Sequence, residues 1–361
     1  MDTHMSTHNL NEALTSLSQG FRSLKGIGNV EAKFSDEILF DEWDWEVGVG
    51  LYGDFRDAKE RNDQAALERI GRWYDWQIQR GLPRRQVNST APMLTLALLA
   101  EHFQRDDWKN IVEEWADWIH TKMPKTEEEG YQHLVKERDN DGELWDDTLF
   151  MAALFMAAAG KLCQRPEWTQ EAQYQYLCHI RFLGDTHSGL FYHGWTFHGR
   201  HNFANALWAR GNAWLTLSIP ELFRILEPQS VTARQLKNVY LTQVRALKAC
   251  QREDGMFHTL LDDPSSPIEA SATAAIGYGL LAGCREGLLD ITEYQEMINL
   301  CLNAVITRIN NKGILEEVSD GTAMGHSLDF YKQIGNIPTP YGQALASLFL
   351  SEYRSFTNKA R

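Results

Sequence analysis

The stretch WDDTLFM at residues 145–151 opens a strongly apolar segment that continues to Leu162. The residues from Ala152 onwards are almost all Ala, Leu, Phe and Met, which predicts a helix that is buried nearly all round. Asp146 and Asp147 stand at its start. A carboxylate in this position can cap the free N–H groups of the first turn and complement the positive helix end. Capping explains one acid, but a second acid beside Trp145 indicates a functional site.

Helical periodicity recurs along the chain, and it predicts about twelve helices with one short hairpin as the main sheet structure. Amphipathic and apolar helices alternate, and the proline at position 92 suits the first turn of one apolar helix. The amphipathic helices are predicted near residues 8–24, 63–80, 106–122, 168–183, 230–252 and 290–310. The apolar ones are predicted from Trp45 and near residues 91–102, 146–162, 204–224, 269–284 and 341–354.

Six pairs of one amphipathic and one apolar helix fit a closed double ring, with the apolar helices as the inner wall. The predicted fold is therefore all-α, an (α/α)6 barrel of six helical hairpins that forms a single domain over residues 1–361. An open superhelical solenoid of helix pairs is the competing architecture. It is disfavoured because no repeat of fixed period occurs.

The composition of the chain argues against some classes of binding partner. The chain has 361 residues, is 43% hydrophobic and carries a formal net charge of −14, which argues against nucleic acid, since phosphate contacts need a basic face. No basic and apolar leader or long apolar span occurs, so we expect a cytoplasmic protein without membrane contact. The five cysteines are predicted to be free thiols. The oligomeric state stays open.

Unusual polar residues fall at the predicted starts of the inner helices. If these helices run in one direction, their N-terminal ends open on one face and point free N–H groups at a shared pocket, which favours an anionic ligand. The residues concerned are Asp44 and Trp45, Asn88, Asp146 and Asp147, Arg210 and Trp214, Glu269, Ser271 and Thr273, and Tyr341 and Gln343.

Two loops carry histidines towards this face. Residues 130–142 alternate in polarity and contain a turn signal, so we predict a hairpin that brings His133 back towards Asp147. Its acids do not have the spacing of a calcium loop. Residues 189–202 contain His193 and further histidines, but neither an HExxH motif nor cysteine-rich spacing accompanies them. We therefore predict neither a metal nor a cofactor.

Aromatic residues divide between the two layers. The tryptophans of the outer helices are explained by packing, whereas those at the helix mouths lie among Asp, His, Asn and Arg. Flat aromatic faces beside such polar groups suit a carbohydrate. Arg210 is a candidate bidentate partner for the carboxylate of a uronic acid, and the alternative is an ion pair with one of the two aspartates. The mouth tryptophans are Trp45, Trp145, Trp195, Trp208 and Trp214.

Six segments resemble one known family in the right order. They are WEVGV at 45–49, NSTAPM at 88–93, WxDxLFM at 145–151, YHGW at 192–195, WARGNAW at 208–214 and EASA at 269–272. The chain resembles the unsaturated rhamnogalacturonyl hydrolases of glycoside hydrolase family 105, which are close to the unsaturated glucuronyl hydrolases. The resemblance covers most of the chain and implies an (α/α)6 barrel.

The resemblance also implies roles for individual residues. Asp147 matches the proton-donating aspartate of the family, and His133, His193, Arg210 and Trp214 match pocket positions, while Trp208 lies in the same motif. Asp44, Trp45 and Tyr331 are looser matches. Relatives can carry a second aspartate where this chain has Asn88, which can bind a hydroxyl group but cannot take a proton.

The implied substrate is a small anionic oligosaccharide with a 4,5-unsaturated uronic acid at its non-reducing end, as a polysaccharide lyase leaves it. Protonated Asp147 would donate to C4, and water would add at C5. To keep this proton, Asp147 needs burial or another anion nearby, and Asp146 is a candidate neighbour as well as a candidate cap. A rhamnogalacturonan disaccharide is the expected substrate. A glucuronyl disaccharide from a glycosaminoglycan-like or sulfated polymer and a non-catalytic carbohydrate-binding barrel are the alternatives.

Overall fold

The computed structural model describes residues 7–24, 42–135, 140–226 and 230–359 of the chain. Six of its helices form an inner layer. They are α2 (Trp45–Arg61), α4 (Val87–Phe103), α6 (Leu154–Leu162, preceded by a π-helical turn at Leu149–Ala153), α8 (Ala209–Leu226), α10 (Ala270–Arg285) and α13 (Pro340–Lys359). Outside them lie α1 (Thr7–Ser23), α3 (Gln64–Arg80), α5 (Asp106–Lys122), α7 (Pro166–Leu183), α9 (Val231–Cys250) and α11 (Ile291–Thr307). A short helix, α12 (Leu328–Lys332), lies in the loop before α13.

The inner helices close into a ring. Each packs against the next in the order α2, α4, α6, α8, α10 and α13, and α13 packs back against α2. The predicted (α/α)6 barrel is thereby confirmed, and a closed ring excludes the open solenoid. Among the residues that the structure describes, no helix combines the length and the apolarity that crossing a membrane requires.

The helices of the two layers differ in sequence pattern because they are buried to different extents. On the outer helix α5, Trp108, Val112, Trp115 and Ile119 are buried at spacings of three and four, which is one face of a helix. The inner helix α10 is buried without interruption from Ala270 to Gly283, because neighbours surround it. The alternation of amphipathic and apolar helices along the sequence is therefore a direct consequence of the two layers.

The structure corrects the predicted start of α4. The helix begins at Val87, capped by Gln86, so the proline at position 92 lies inside it and Asn88 lies in its first turn. A proline inside the helix has no N–H group to donate to a carbonyl of the preceding turn. The capping box between Gln86 and Ser89 starts the helix earlier than the apolar pattern does. A cap made by glutamine is not among the preferred signals, which explains the error.

The prediction of one hairpin over residues 130–142 is wrong for the part that the structure describes, and residues 136–139 lie outside it. Strand β1 (Glu143–Trp145) pairs with the distant strand β2 (Gly194–Thr196) in antiparallel register, Glu143 opposite Thr196. Strands β3 (Phe257–His258) and β4 (Ile268–Glu269) form a second two-stranded sheet. Three of these strands, β1, β2 and β4, belong to the segments that lead into inner helices, so the sheets lie at the helix mouths.

Two glycines of α2 provide a matched test of the inner packing. A Cβ added at Gly48 would lie 2.7 Å from backbone atoms of residues 91 and 92 in α4, whereas one at Gly53 would meet the Cβ of Leu348 at an ordinary 3.5 Å. Gly48→Ala is expected to lower the free energy of unfolding by about 1–3 kcal/mol through overpacking. Gly53→Ala is expected to raise it by roughly 0.5–1 kcal/mol through helix propensity. Denaturant unfolding measures both, and equal effects would contradict the close approach of α2 and α4.

Candidate active site

Asp147 lies at the start of the π-helical turn that precedes α6. Its backbone carbonyl accepts hydrogen bonds from the N–H groups of Phe150 and Met151, at 3.1 and 3.0 Å, which fixes the residue in the first turn. Its side chain is 18% exposed, and Oδ2 lies 3.6 Å from Nε2 of His193. Asp147 is therefore a carboxyl group that is fixed by the helix and still reachable from the mouth of the barrel.

His193 is buried beside Asp147 and is oriented from behind by Tyr331. Nδ1 of His193 lies 2.7 Å from the hydroxyl oxygen of Tyr331, and the backbone N–H of Gly325 donates to that same oxygen. The tyrosine hydroxyl is thus free to donate its proton to Nδ1, which leaves the ring hydrogen on Nε2, facing Asp147. Burial lowers the pKa of His193, so the imidazole is a neutral donor towards the carboxylate.

The pKa of Asp147 results from opposing effects. Burial raises the pKa, but the neighbouring rings of His193 and His133 lower it, and the outcome is a pKa below the ordinary value. This corrects the requirement that Asp147 itself hold a proton near neutral pH. In the free protein Asp147 is a carboxylate, because the neighbouring imidazole stabilises its ionised form.

His133 lies on the other side of Asp147. Its ring is stacked on Trp145, with 4.3 Å between ring centroids and an angle of 4° between the planes, and its Nδ1 lies 2.7 Å from Oγ1 of Thr148. Burial lowers the pKa of His133 to about 4, so it is neutral at pH 7. The prediction that His133 is carried towards Asp147 agrees with this geometry, since the backbone N–H of His133 donates to the carbonyl of Glu143 at 3.0 Å.

Arg210 is 2% exposed and is held inside the protein. Nη1 donates to the carbonyl and hydroxyl oxygens of Ser319, and Nη2 donates to the carbonyl of Asp320 and the hydroxyl of Thr322. Glu269 is its ionic neighbour at 3.7 Å, so the predicted ion pair with Asp146 or Asp147 is replaced by one with Glu269. Since all four terminal N–H groups are used, Arg210 would have to release residues 319–322 before it could bind a substrate carboxylate.

Aromatic rings join the starts of the inner helices. Trp45 of α2 is stacked on Tyr341 of α13, with centroids 4.8 Å apart, and meets Trp214 of α8 edge-on at 6.3 Å. Trp208 packs against His193 at 4.2 Å. The indole N–H groups of Trp195, Trp208 and Trp214 are buried and have no hydrogen-bond partner among the described residues. Unpaired buried donors of this kind are exceptional in proteins and suit the hydroxyl groups of a ligand.

Two predicted site residues lie at the mouth without a described contact to Asp147. The side chain of Asp44 accepts a hydrogen bond from the N–H of Trp45 and caps α2. Asn88 is half-buried in the first turn of α4, where its backbone N–H donates to Oε1 of Gln86. The remaining predicted residues form one connected set, because Trp145 also meets His193 at 5.2 Å and the guanidinium of Arg210 lies over the rings of Trp208 and Tyr341 at 4.7 and 4.8 Å. They are Trp45, His133, Asp147, His193, Trp208, Arg210, Trp214 and Tyr331.

Glu46 is a residue of this region to which the sequence analysis gave no role. Burial raises its pKa to about 7, the carboxylate of Asp44 adds to the effect, and Arg210 opposes it. A carboxyl with this pKa changes its charge close to neutral pH. An acid in the first turn of an otherwise apolar helix was the available signal.

Asp146 does not cap the helix, contrary to one of the sequence-based alternatives. Its two side-chain oxygens have no hydrogen-bond donor among the described residues, and its side chain meets Gly211 of α8 instead of the first turn of α6. The first turn is π-helical and bonds to backbone carbonyls of residues 146 and 147, so the side chain of Asp146 is directed away from it.

One oxygen of Asp146, one of Asp147 and one ring nitrogen of His193 lie within 4.8 Å of one another. Such distances also suit a cation, but carboxylates that bind metals are normally held by donors of their own, and Asp146 has none among the described residues. We therefore do not assign these groups as metal ligands. The sequence-based expectation of no metal and no cofactor stays a prediction.

A closed ring of six inner helices, with a carboxyl–histidine pair and aromatic walls at its mouth, defines the class of the protein as an (α/α)6-barrel glycoside hydrolase. The family follows from the sequence as a whole. The chain belongs to Glycosyl Hydrolase Family 88, whose model matches residues 29–357. The resemblance to glycoside hydrolase family 105 is confirmed by the structural relatives below.

Three relatives illustrate the match. An unsaturated rhamnogalacturonyl hydrolase, YesR of Bacillus subtilis (strain 168), is 29% identical over 318 residues, which are 86% of this chain and 89% of the relative. A crystal structure of a possible member of the GH105 family from Salmonella enterica serovar Paratyphi A has a TM-score of 0.91 and 37% identity, covering 99% of this chain and 96% of that one. A Klebsiella pneumoniae structure described in the same words has a TM-score of 0.91 and 36% identity, covering 100% and 96%.

Proposed function

We propose that the protein releases a 4,5-unsaturated uronic acid from the non-reducing end of lyase-generated oligosaccharides, with the unsaturated rhamnogalacturonan disaccharide as its substrate. The observation that carries the proposal is the position of Asp147, a partly exposed carboxyl that contacts a buried neutral histidine at the mouth of the barrel. The name of the Bacillus subtilis relative supports the choice of aglycone.

The proposed chemistry is hydration of the C4=C5 double bond. The carboxyl of Asp147 gives a proton to C4, and the positive charge develops at C5 and the ring oxygen. Water adds at C5 and returns one proton to the carboxylate, so Asp147 acts first as acid and then as base. The product is a hemiketal, which opens and releases the aglycone sugar. Because both histidines are neutral, they do not cancel the negative charge that the Asp147 carboxylate places near C5. This charge favours the cationic transition state.

The aromatic walls provide the binding surface. Trp45 is half-buried at the mouth and offers a ring face to a sugar, with the buried Tyr341 stacked behind it. The substrate carboxylate meets the N-terminal ends of the inner helices, where the helix dipoles favour an anion. Arg210 contributes to this field indirectly, by fixing residues 319–322.

The direct test follows the ultraviolet absorbance of the unsaturated uronyl group. The purified protein is given the rhamnogalacturonan disaccharide and, in parallel, unsaturated glucuronyl disaccharides from a glycosaminoglycan lyase. Loss of absorbance with the first substrate at the higher kcat/KM supports the proposal. A higher kcat/KM with the glucuronyl disaccharides would mean that the aglycone is a different sugar. No loss of absorbance with either substrate would contradict the proposal that the protein is an enzyme of this kind.

Tyr331→Phe tests the orientation of His193. Without the hydroxyl, Nδ1 loses its donor, the ring hydrogen is no longer held on Nε2, and the interaction of His193 with Asp147 weakens. The lost hydrogen bond contributes about 0.5–1.5 kcal/mol, so kcat is expected to fall roughly twofold to tenfold. The pH–rate profile should shift with it. Tyr174→Phe is the control, because that exposed hydroxyl bonds only to the carbonyl of Glu128 in the described structure. An unchanged profile would refute the role of Tyr331.

A further inference from the structure

Asp146 is a fully buried carboxyl group in an unusual environment. It is 0% exposed, and neither side-chain oxygen has a hydrogen-bond donor among the described residues. Its backbone is fixed, because its N–H donates to the carbonyl of His193 at 3.1 Å and its carbonyl accepts from Leu149 at 3.3 Å. An ionised carboxylate without donors or water is strongly disfavoured. A neutral carboxyl, in contrast, has one proton to donate.

The natural acceptor for that proton is Asp147. An oxygen of Asp146 lies within 4.8 Å of an oxygen of Asp147, and two carboxylates at such a distance do not both ionise readily. Burial and the charge of Asp147 raise the pKa of Asp146 well above its usual range, while Arg210 opposes them. The pair therefore carries one proton, on Asp146 in the free protein.

Helix α8 is built to receive the side chain of Asp146. Any Cβ at Gly211 would meet the carboxyl group of Asp146, so only glycine leaves room for it. Glycine inside a helix is unfavourable for the backbone, and its presence indicates a close approach that another residue would block. The close approach joins the start of α6 to the start of α8, directly behind Asp147.

We propose that Asp146 and Asp147 form a carboxyl pair that shares one proton, which Asp146 stores and passes to Asp147 as Asp147 protonates the substrate. The O–H bond of Asp146 breaks as one forms on Asp147, and the latter breaks as the C4–H bond forms. Water then adds at C5, and its released proton restores the pair. The transfer to substrate rests on the proposed function, whereas the sharing of the proton does not.

An infrared measurement tests the shared proton without any substrate. The wild-type protein at pH 7 is expected to show the carbonyl stretching band of a protonated carboxylic acid, which Asp146→Asn removes. Protonated Glu46 cancels in the difference spectrum, because both proteins contain it. A difference spectrum without this band overturns the proposal. So does a stoichiometric divalent metal ion that is bound by the wild type and lost in Asp146→Asn.

A kinetic measurement tests the transfer. Asparagine at position 146 can still donate an N–H hydrogen bond to Asp147 but has no proton to pass on. Its activity then depends on the proton of Asp147 alone, whose pKa is low, so activity is lost at a lower pH than in the wild type. At pH 7 the rate is expected to fall about 10²-fold. The charged or titratable groups that face the pair are Arg210, His133, His193 and Tyr331, all present in both proteins.

A purely structural role would reduce the rate without moving the alkaline limb of the pH profile, and this result overturns the transfer. Asp141→Asn is the control, because that exposed acid bonds to Gln132 and His198 and should leave the profile unchanged. If Asp146→Asn does not fold, Gly211→Ala takes its place, since it displaces the carboxyl of Asp146 and keeps both acids. If no disaccharide is hydrolysed, the proposed function fails while the infrared result still decides whether the proton is shared.

Discussion

Asp147→Asn is expected to reduce the hydrolysis of the unsaturated disaccharide by at least about 10³-fold, within the range that a positioned proton donor contributes. The amide has nearly the shape of the carboxyl group but can neither give a proton to C4 nor accept one from water. Loss of ultraviolet absorbance measures the rate. KM is expected to change far less than kcat, because the aromatic walls and the helix ends that bind the sugar are untouched.

The same variant should fold normally. Its side chain remains partly exposed, and an amide oxygen can take the place of Oδ2, which lies 3.6 Å from Nε2 of His193. Asp141→Asn, six residues upstream on the exposed turn, provides the control for both rate and stability. Full activity in Asp147→Asn would show that Asp147 is not the acid, and a matching loss in Asp141→Asn would show that the effect is not specific to the site.

Arg210→Leu is expected to have the largest effect on stability, a loss of about 3–5 kcal/mol in the free energy of unfolding, since it leaves a buried charge without its partner. That partner is Glu269, which is 0% exposed and caps α10. Leucine also removes the four hydrogen bonds that fix residues 319–322. Denaturant unfolding measures the loss, and activity should fall with it because the mouth of the barrel is no longer fixed.

The comparison variant is Arg181→Leu, which breaks an exposed ion pair with Glu128 and should cost no more than about 1 kcal/mol. Adding Glu269→Gln to Arg210→Leu removes the uncompensated charge and is expected to restore part of the lost stability. A loss in Arg210→Leu as small as that in Arg181→Leu would mean that Glu269 keeps its charge without Arg210. No recovery in the double variant would assign the loss to residues 319–322 instead.

The fold was predictable because its two layers differ in local sequence pattern. An outer helix shows its buried face at spacings of three and four, as α5 does, while an inner helix is apolar throughout, as α10 is. Six such alternations define the ring without any knowledge of which helices touch. The approximate starts of the inner helices also follow, with α4 as the corrected case, and with them the region of the site.

The remaining errors concern contacts between residues far apart in the chain. Strand β1 pairs with a segment about fifty residues away, and Arg210 bonds to residues 319–322, more than a hundred residues away. No spacing rule encodes either contact. The direction of the Asp146 side chain depended on Gly211, whose significance appears only when α6 and α8 lie side by side. Asp147 was identified by its family motif, but its lowered pKa depends on two histidines from separate loops.

The closure of the ring between α13 and α2 has a consequence for the order in which the helices can pack during synthesis. The two helices are separated by almost the whole chain, yet Trp45 and Tyr341 share one stack between them. When only the first five inner helices have been synthesised, the ring is therefore still open. The apolar faces of α2 and α10 at the gap then have no neighbouring helix. Contacts of such long sequence separation form late and slowly, and exposed apolar edges invite association with other chains. The nascent protein is most vulnerable just before α13 docks, and the Trp45–Tyr341 stack is among the last contacts to form.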